Sequence, residues 1–156
     1  MVDKDIRPID WSILRHSRGV ASDIPDLLAR VSESCEYDQA EQALFELGER
    51  VCHQGISVSE ATSYVLPLLL GVVEGDSPVR VKAFRLVVKI SRSSHVWRRS
   101  AENSPVEFRS KFKSKIEWET SLDQAFRDSL PVLYRLEGDR NPDIREMAAV
   151  LAEKHR

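Results

Sequence analysis

Three segments of this 156-residue chain superimpose on a proline, and no other feature constrains its fold as tightly. They read Ile24-Pro25-Asp26-Leu27, Leu66-Pro67-Leu68-Leu69 and Leu130-Pro131-Val132-Leu133, each an apolar residue, proline, any residue, then leucine. Behind the second and third copies stand Gly75-Asp76-Ser77-Pro78-Val79-Arg80 and Gly138-Asp139-Arg140-Asn141-Pro142-Asp143-Ile144-Arg145. Both read as a turn leading into an apolar-arginine pair that opens a helix. The prolines lie 42 and 64 residues apart. The first spacing falls within the roughly 40 to 47 residues of a repeat made from paired helices, and the second is that period plus about 22 residues. The excess matches the polar, basic stretch 91–113. The pattern predicts one all-α domain over 1–156, a solenoid of about three helical pairs with an inserted loop at 91–113 followed by an extra helix.

Local signals agree with helices. Ala40, Ala43, Leu44, Leu47 and Val51 recur at helical spacing behind Asp38, a suitable N-cap, and ahead of Gly55, a suitable stop, which predicts a helix near 38–54. After Asp76-Ser77-Pro78, the residues Ala83, Phe84, Val87, Val88 and Ile90 cover more than one helix face, so this helix belongs at the centre of the domain. Ser104-Pro105-Val106-Glu107 has the form of a capping box, followed by Phe108, Phe112, Ile116, Leu122 and Phe126 as a core-facing stripe. No sustained alternation of apolar and polar residues predicts a strand.

Composition enters through what it excludes. A chain of this length buries about 70% of the surface that it exposes unfolded. The longest apolar run, Val65 to Val73, holds Pro67 and Gly71 and is far shorter than the ~20 residues of a membrane span. Met1 to Pro8 is charged and lacks an apolar stretch, so the expectation is a cytoplasmic protein with no secretion signal. Cys35 and Cys52 are the only thiols, with no Cys-x-x-Cys, and both are read as reduced. The net charge of −2 conceals a dipole: residues 1–78 carry 14 acidic and 6 basic side chains, residues 79–156 carry 11 and 17. Between Arg80 and Lys115, eleven basic residues meet only Glu102 and Glu107.

The Pro-x-Leu helix, the short Asp/Gly/Pro turn and the Val-Arg or Ile-Arg helix start resemble HEAT repeats over residues 22–93 and 116–155. More narrowly, Trp11-Ser-Ile-Leu14, Asp23-Ile-Pro-Asp-Leu-Leu28, Val51-Cys-His-Gln-Gly55 and Glu60-Ala-Thr62 resemble small bacterial HEAT-repeat proteins, some of which are immunity partners of polymorphic toxins. Ile56-Ser57-Val58 and the 91–113 insertion depart from that pattern. The resemblance implies a compact right-handed array whose work is binding a protein, here a toxin domain to be neutralised. Fold alone carries no activity.

Catalytic machinery is not expected. His53 at a helix end is read as satisfying the last carbonyls, with Gln54 capping and Gly55 at positive φ. His16 and His95 are isolated in the sequence, His155 is terminal, and neither a metal-ligating spacing nor a nucleophile or phosphate-binding motif occurs, so no metal and no cofactor is expected. The candidate partner-binding residues fall in two groups. Asp26, Glu33, Glu74 and Arg135 project from the proline-containing helices, with Glu36 alongside, as an acidic surface able to steer a cationic partner. Trp97, flanked by Arg98 and Arg99 in the insertion, has the composition of an exposed hot spot. Two alternatives stay open: a non-toxin adaptor or scaffold, and a nucleic-acid-binding protein working through the basic residues with Phe108, Phe112 and Trp118 interleaved. The net acidity disfavours the latter, and Phe108 and Phe112 are expected in the core.

Overall fold

Each proline-leucine segment lies in a helix of the computed structural model, which describes residues 9–156; the expectations for Met1 to Pro8 lie outside the described residues. The leucine two residues after each proline is buried, Leu27 at 4% exposure and Leu69 and Leu133 at 0%, while all three prolines face solvent. The shared pattern is thus a shared register against the core. It does not fix where the helix begins. In α1 (Ile24–Glu33) and α7 (Leu130–Leu136) the proline opens the helix, where its missing N–H costs nothing, whereas α3 (Thr62–Glu74) starts earlier and encloses Pro67.

The protein is all-α in character. α2 (Tyr37–Val51) packs on α1, α4 (Arg80–Arg92) on α3, and α8 (Pro142–His155) on α7. α4 also touches α2 and α8, and α3 touches α1 and α6 (Lys113–Asp128), so α4 has the central place expected of it and buries Ala83, Phe84, Val87 and Ile90. One apolar core runs from Leu14 to Ala152. Among the described residues no helix is long and apolar enough to cross a membrane.

The turns join the pairs. Ser77, ahead of α4, donates its hydroxyl to the Val31 carbonyl of α1 at 2.7 Å. Arg80 donates Nε–H to the Val73 carbonyl at 2.8 Å and grips the Asp139 carboxylate between α7 and α8, with Nη1 3.1 Å from Oδ1 and Nη2 on the other oxygen. Asn141 caps α8 by accepting the Asp143 and Ile144 N–H groups at 2.9 and 3.2 Å. Arg145 donates Nη1–H to the Asp139 carbonyl at 2.8 Å. The arginine of each apolar-arginine pair therefore holds the Asp139 turn.

Several local expectations need correction. α2 begins at Tyr37, which puts Asp38 in the first turn instead of at the cap, and ends at Val51. Beyond it, Cys52–His53 (β3) pairs antiparallel with Ser57–Val58 (β4), as Arg15–His16 (β1) does with Gly19–Val20 (β2). Strands of two residues are too short for any alternation to register in sequence. Gln54 and Gly55 turn the chain with φ of 54° and 70°, so Gly55 has the positive φ expected of it, inside a hairpin loop. His53 bonds no helix carbonyl; its Nδ1 lies 3.9 Å from a Glu49 oxygen. The stretch 91–113 is no loop: α4 runs into it, α5 (Val96–Glu102) and a 3-10 segment (Val106–Phe112) fill most of it, and Ser91, Ser93 and Ser94 are buried. The capping box does not form, because the Ser104 hydroxyl donates back to the Ser100 carbonyl at 2.8 Å. Phe108 is 45% exposed and Phe112 only partly covered, so the core stripe begins at Leu122 and Phe126.

Candidate protein-binding surfaces

The first surface is the outer side of the proline-containing helices. α3 buries Val65, Leu66, Leu69, Leu70 and Val73 and exposes Tyr64, Pro67, Gly71 and Glu74 at spacings of three and four residues. From α7, Tyr134 and Arg135 are exposed beside it, and Arg135 reaches Glu74 with Nε and Nη2 at 3.1 and 3.3 Å from the carboxylate oxygens. The structure thus brings Glu74 and Arg135 together. α1, packed on α3, adds exposed Asp26 and Glu33, with Glu36 exposed in the following turn; Asp26 is paired to Arg30 at 2.8 Å. Two half-exposed tyrosines, an arginine and bare proline rings form a surface of the composition found at interface centres.

The second group lies apart, and its chemistry differs from expectation. Trp97 is packed against the core: its indole N–H donates to the Val58 carbonyl at 3.0 Å, Lys115 Nζ lies 4.1 Å from its ring centroid, and Phe112 is tilted against it at 6.4 Å. Arg98 is held by Asp123 and Thr120 at 2.8 and 2.9 Å. Arg99 alone of the three is exposed. Beneath them sits Glu119, fully buried, accepting the backbone N–H groups of Trp97 and Arg98 at 2.8 and 3.0 Å. It caps α5 from within α6. Burial pushes its carboxyl above the usual range, against the pull of the two N–H donors. Trp97→Ala is therefore expected to cost roughly 2 kcal/mol in urea denaturation, for the lost packing and the unpaired Val58 carbonyl. A change below about 0.5 kcal/mol, the usual size for a surface site, would return Trp97 to the role of a free contact residue.

Three of the four histidines, His16, His95 and His155, are likewise structural anchors. Nε2 of His16 meets Asp23 at 2.8 Å, and Arg50 meets the other oxygen of Asp23 at 2.6 Å. His95 meets Asp123 at 3.1 Å. His155 stacks on Phe126 at 4.0 Å; burial lowers its pKa to about 4, so it is neutral near neutral pH, and its Nε2 shares a 2.8 Å hydrogen bond with the Ser91 hydroxyl. No group of three His, Cys, Asp or Glu side chains among the described residues is arranged to hold a metal ion.

An open groove of about 1180 Å³ between α2 and α4 went unnoticed in the sequence. Its floor is Leu44, Gly48 and Leu86; the helices approach closely there, since a Cβ on Gly48 would stand 3.4 Å from Leu86 Cδ1. The α2 wall carries Asp38, Glu41 and Glu49, and the α4 wall carries Lys82, Arg85, Lys89 and Arg92. Phe45 stands on the α2 side, 64% exposed. Cys52 also borders the groove, but burial pushes its thiol up, which keeps it protonated and weakly nucleophilic. Helical spacing of like charges on each helix was the available signal; that the two helices face each other was not.

Compared with known proteins, the chain matches no family model, no curated protein and no solved structure.

Proposed function

We propose that this chain is a protein-binding module that stacks its helical pairs in the manner of a HEAT solenoid and neutralises a toxin domain by covering it. The observation that carries the reading is the exposed stripe Tyr64, Pro67, Gly71 and Glu74, flanked by Tyr134 and Arg135. Tyrosine and arginine supply large contact area and directional hydrogen bonds at modest entropic cost, which suits recognition of another protein. Glu33 and Glu36, exposed at the end of α1 and in the turn after it, add negative charge that favours approach of a cationic domain. The toxin class of the partner rests on the resemblance in Trp11 to Leu14 and Val51 to Gly55. A scaffold role without a toxin uses the same surface.

The test is co-expression in a bacterial host with the product of the neighbouring gene. The expected result is growth arrest by that product alone, relief by the wild-type chain, and loss of relief with Tyr64→Ala, Tyr134→Ala and Arg135→Ala combined. Relief that survives the triple variant overturns the assigned surface, and absence of relief by the wild type overturns the function. With the purified pair, Glu33→Lys with Glu36→Lys is expected to slow association about tenfold at low salt, with a smaller effect on dissociation.

A further inference from the structure

The groove between α2 and α4 has two walls of opposite sign, and such a surface is complementary to itself after a two-fold rotation. We propose that the chain forms a symmetric dimer through this groove, α2 of each copy lying against α4 of the other, independently of the partner assigned to the proline-helix face. The walls hold matching ladders: Asp38, Glu41, Phe45 and Glu49 along α2, and Lys82, Arg85, Lys89 and Arg92 along α4, both at spacings of three and four residues. Helices of 15 and 13 residues offer these ladders at nearly equal length.

Within one copy the basic wall is largely unused. Lys82 and Glu41 pair across the groove, and Glu49 lies 3.9 Å from His53. Among the described residues, Asp38, Arg85, Lys89 and Arg92 form no ion pair. A two-fold axis along the groove brings the unpaired Arg85, Lys89 and Arg92 of one copy against the acidic wall of the other, where Asp38 is unpaired and Glu49 is only weakly engaged, and the contact forms twice because it is isologous. Phe45, a large exposed aromatic beside a floor of Leu44 and Leu86, supplies the apolar anchor. The net charge of −2 gives little repulsion between two copies.

Sedimentation velocity on the full chain tests the proposal. At about 100 µM and low salt the wild type is expected to sediment as a dimer, weakening as salt rises. Arg85→Glu, Lys89→Glu and Arg92→Glu combined are expected to give a monomer, as are Asp38→Lys and Glu49→Lys combined, each with an unchanged far-ultraviolet circular dichroism spectrum and a thermal midpoint that does not depend on protein concentration. An equimolar mixture of the two variants is expected to regain the dimer, since each reversed wall then meets the other. Phe45→Ala is expected to raise the dissociation constant tenfold or more. A wild type that stays monomeric overturns the proposal, as does a dimer unaffected by either set of reversals. If the reversals abolish dimerisation but the mixture remains monomeric, charge pairing between the walls is wrong and the proposal falls with it. Were one multiple variant to lose its helical spectrum, Phe45→Ala and the single reversal Lys89→Glu carry the same test.

Discussion

Replacing Leu133 or Leu69 by alanine is expected to remove roughly 2 to 5 kcal/mol of stability, the range for deleting a leucine side chain from a core that relaxes only partly around the cavity. Both side chains are at 0% exposure and belong to the single core. Leu69 lies in α3, which packs on α1, α4 and α6, and Leu133 lies in α7 against α8. A domain of this size holds about 5 to 15 kcal/mol in all, so either substitution takes a large share of it. The control is Leu68, one residue from Leu69 and only partly buried, for which about 1 kcal/mol is expected. Denaturant melts at fixed pH read all three. A loss below 1 kcal/mol at Leu69 and Leu133 would mean that the proline alignment does not mark equivalent core positions.

That alignment was legible because a helix repeats its contacts at fixed spacing, so the leucine two residues after each proline returns to the same face. The central place of α4 was legible for the same reason, through apolar residues on several faces. What sequence hid was burial achieved by hydrogen bonding. Ser91, Ser93 and Ser94 look like a solvated linker, yet their hydroxyls bond His155, the Gly55 carbonyl and the Ser91 carbonyl, so the chain packs where polarity suggests a loop. Glu119 looks like any exposed helical glutamate until α5 is placed over it. Trp97 misleads in the reverse direction: two flanking arginines suggest exposure, but Arg98 points to Asp123 and the indole to Val58. Of the candidate site residues, Glu74 and Arg135 meet across α3 and α7, but they stand seven and four residues after their prolines, so the repeat places each on an exposed helix side without pairing them. The groove needed the pairing of α2 with α4, which no local pattern contains.

Arg80→Ala is expected to cost about 3 kcal/mol near neutral pH, the scale for breaking one side of a buried ion pair, and the penalty should shrink in acid. Arg80 and Asp139 have side chains only 10% and 12% exposed, and they are 59 residues apart in sequence, so the pair fastens the start of α4 to the turn between α7 and α8. Removing Arg80 leaves the Asp139 carboxylate without its counter-charge and the Val73 carbonyl without its donor. The Arg80 guanidinium, helped by the Asn141 N–H and opposed by partial burial, holds the Asp139 carboxyl below the usual carboxylate range. Because the folded-state pKa is the lower one, this stabilisation is complete above the unfolded value of about 3.9 and is lost as pH falls from there through the folded pKa. Wild type should therefore lose more stability than Arg80→Ala over that interval, and the gap between them, measured by urea denaturation at about pH 7 and again below about pH 3, should narrow. Asp139→Asn separates charge from shape: it keeps an acceptor for Arg80, should cost less than Arg80→Ala, and should show the weaker acid dependence. A gap between wild type and Arg80→Ala that stays constant across the interval would mean that Arg80 acts through its bond to the Val73 carbonyl and its packing, with the Asp139 charge contributing nothing to the joint between the second and third helical pairs.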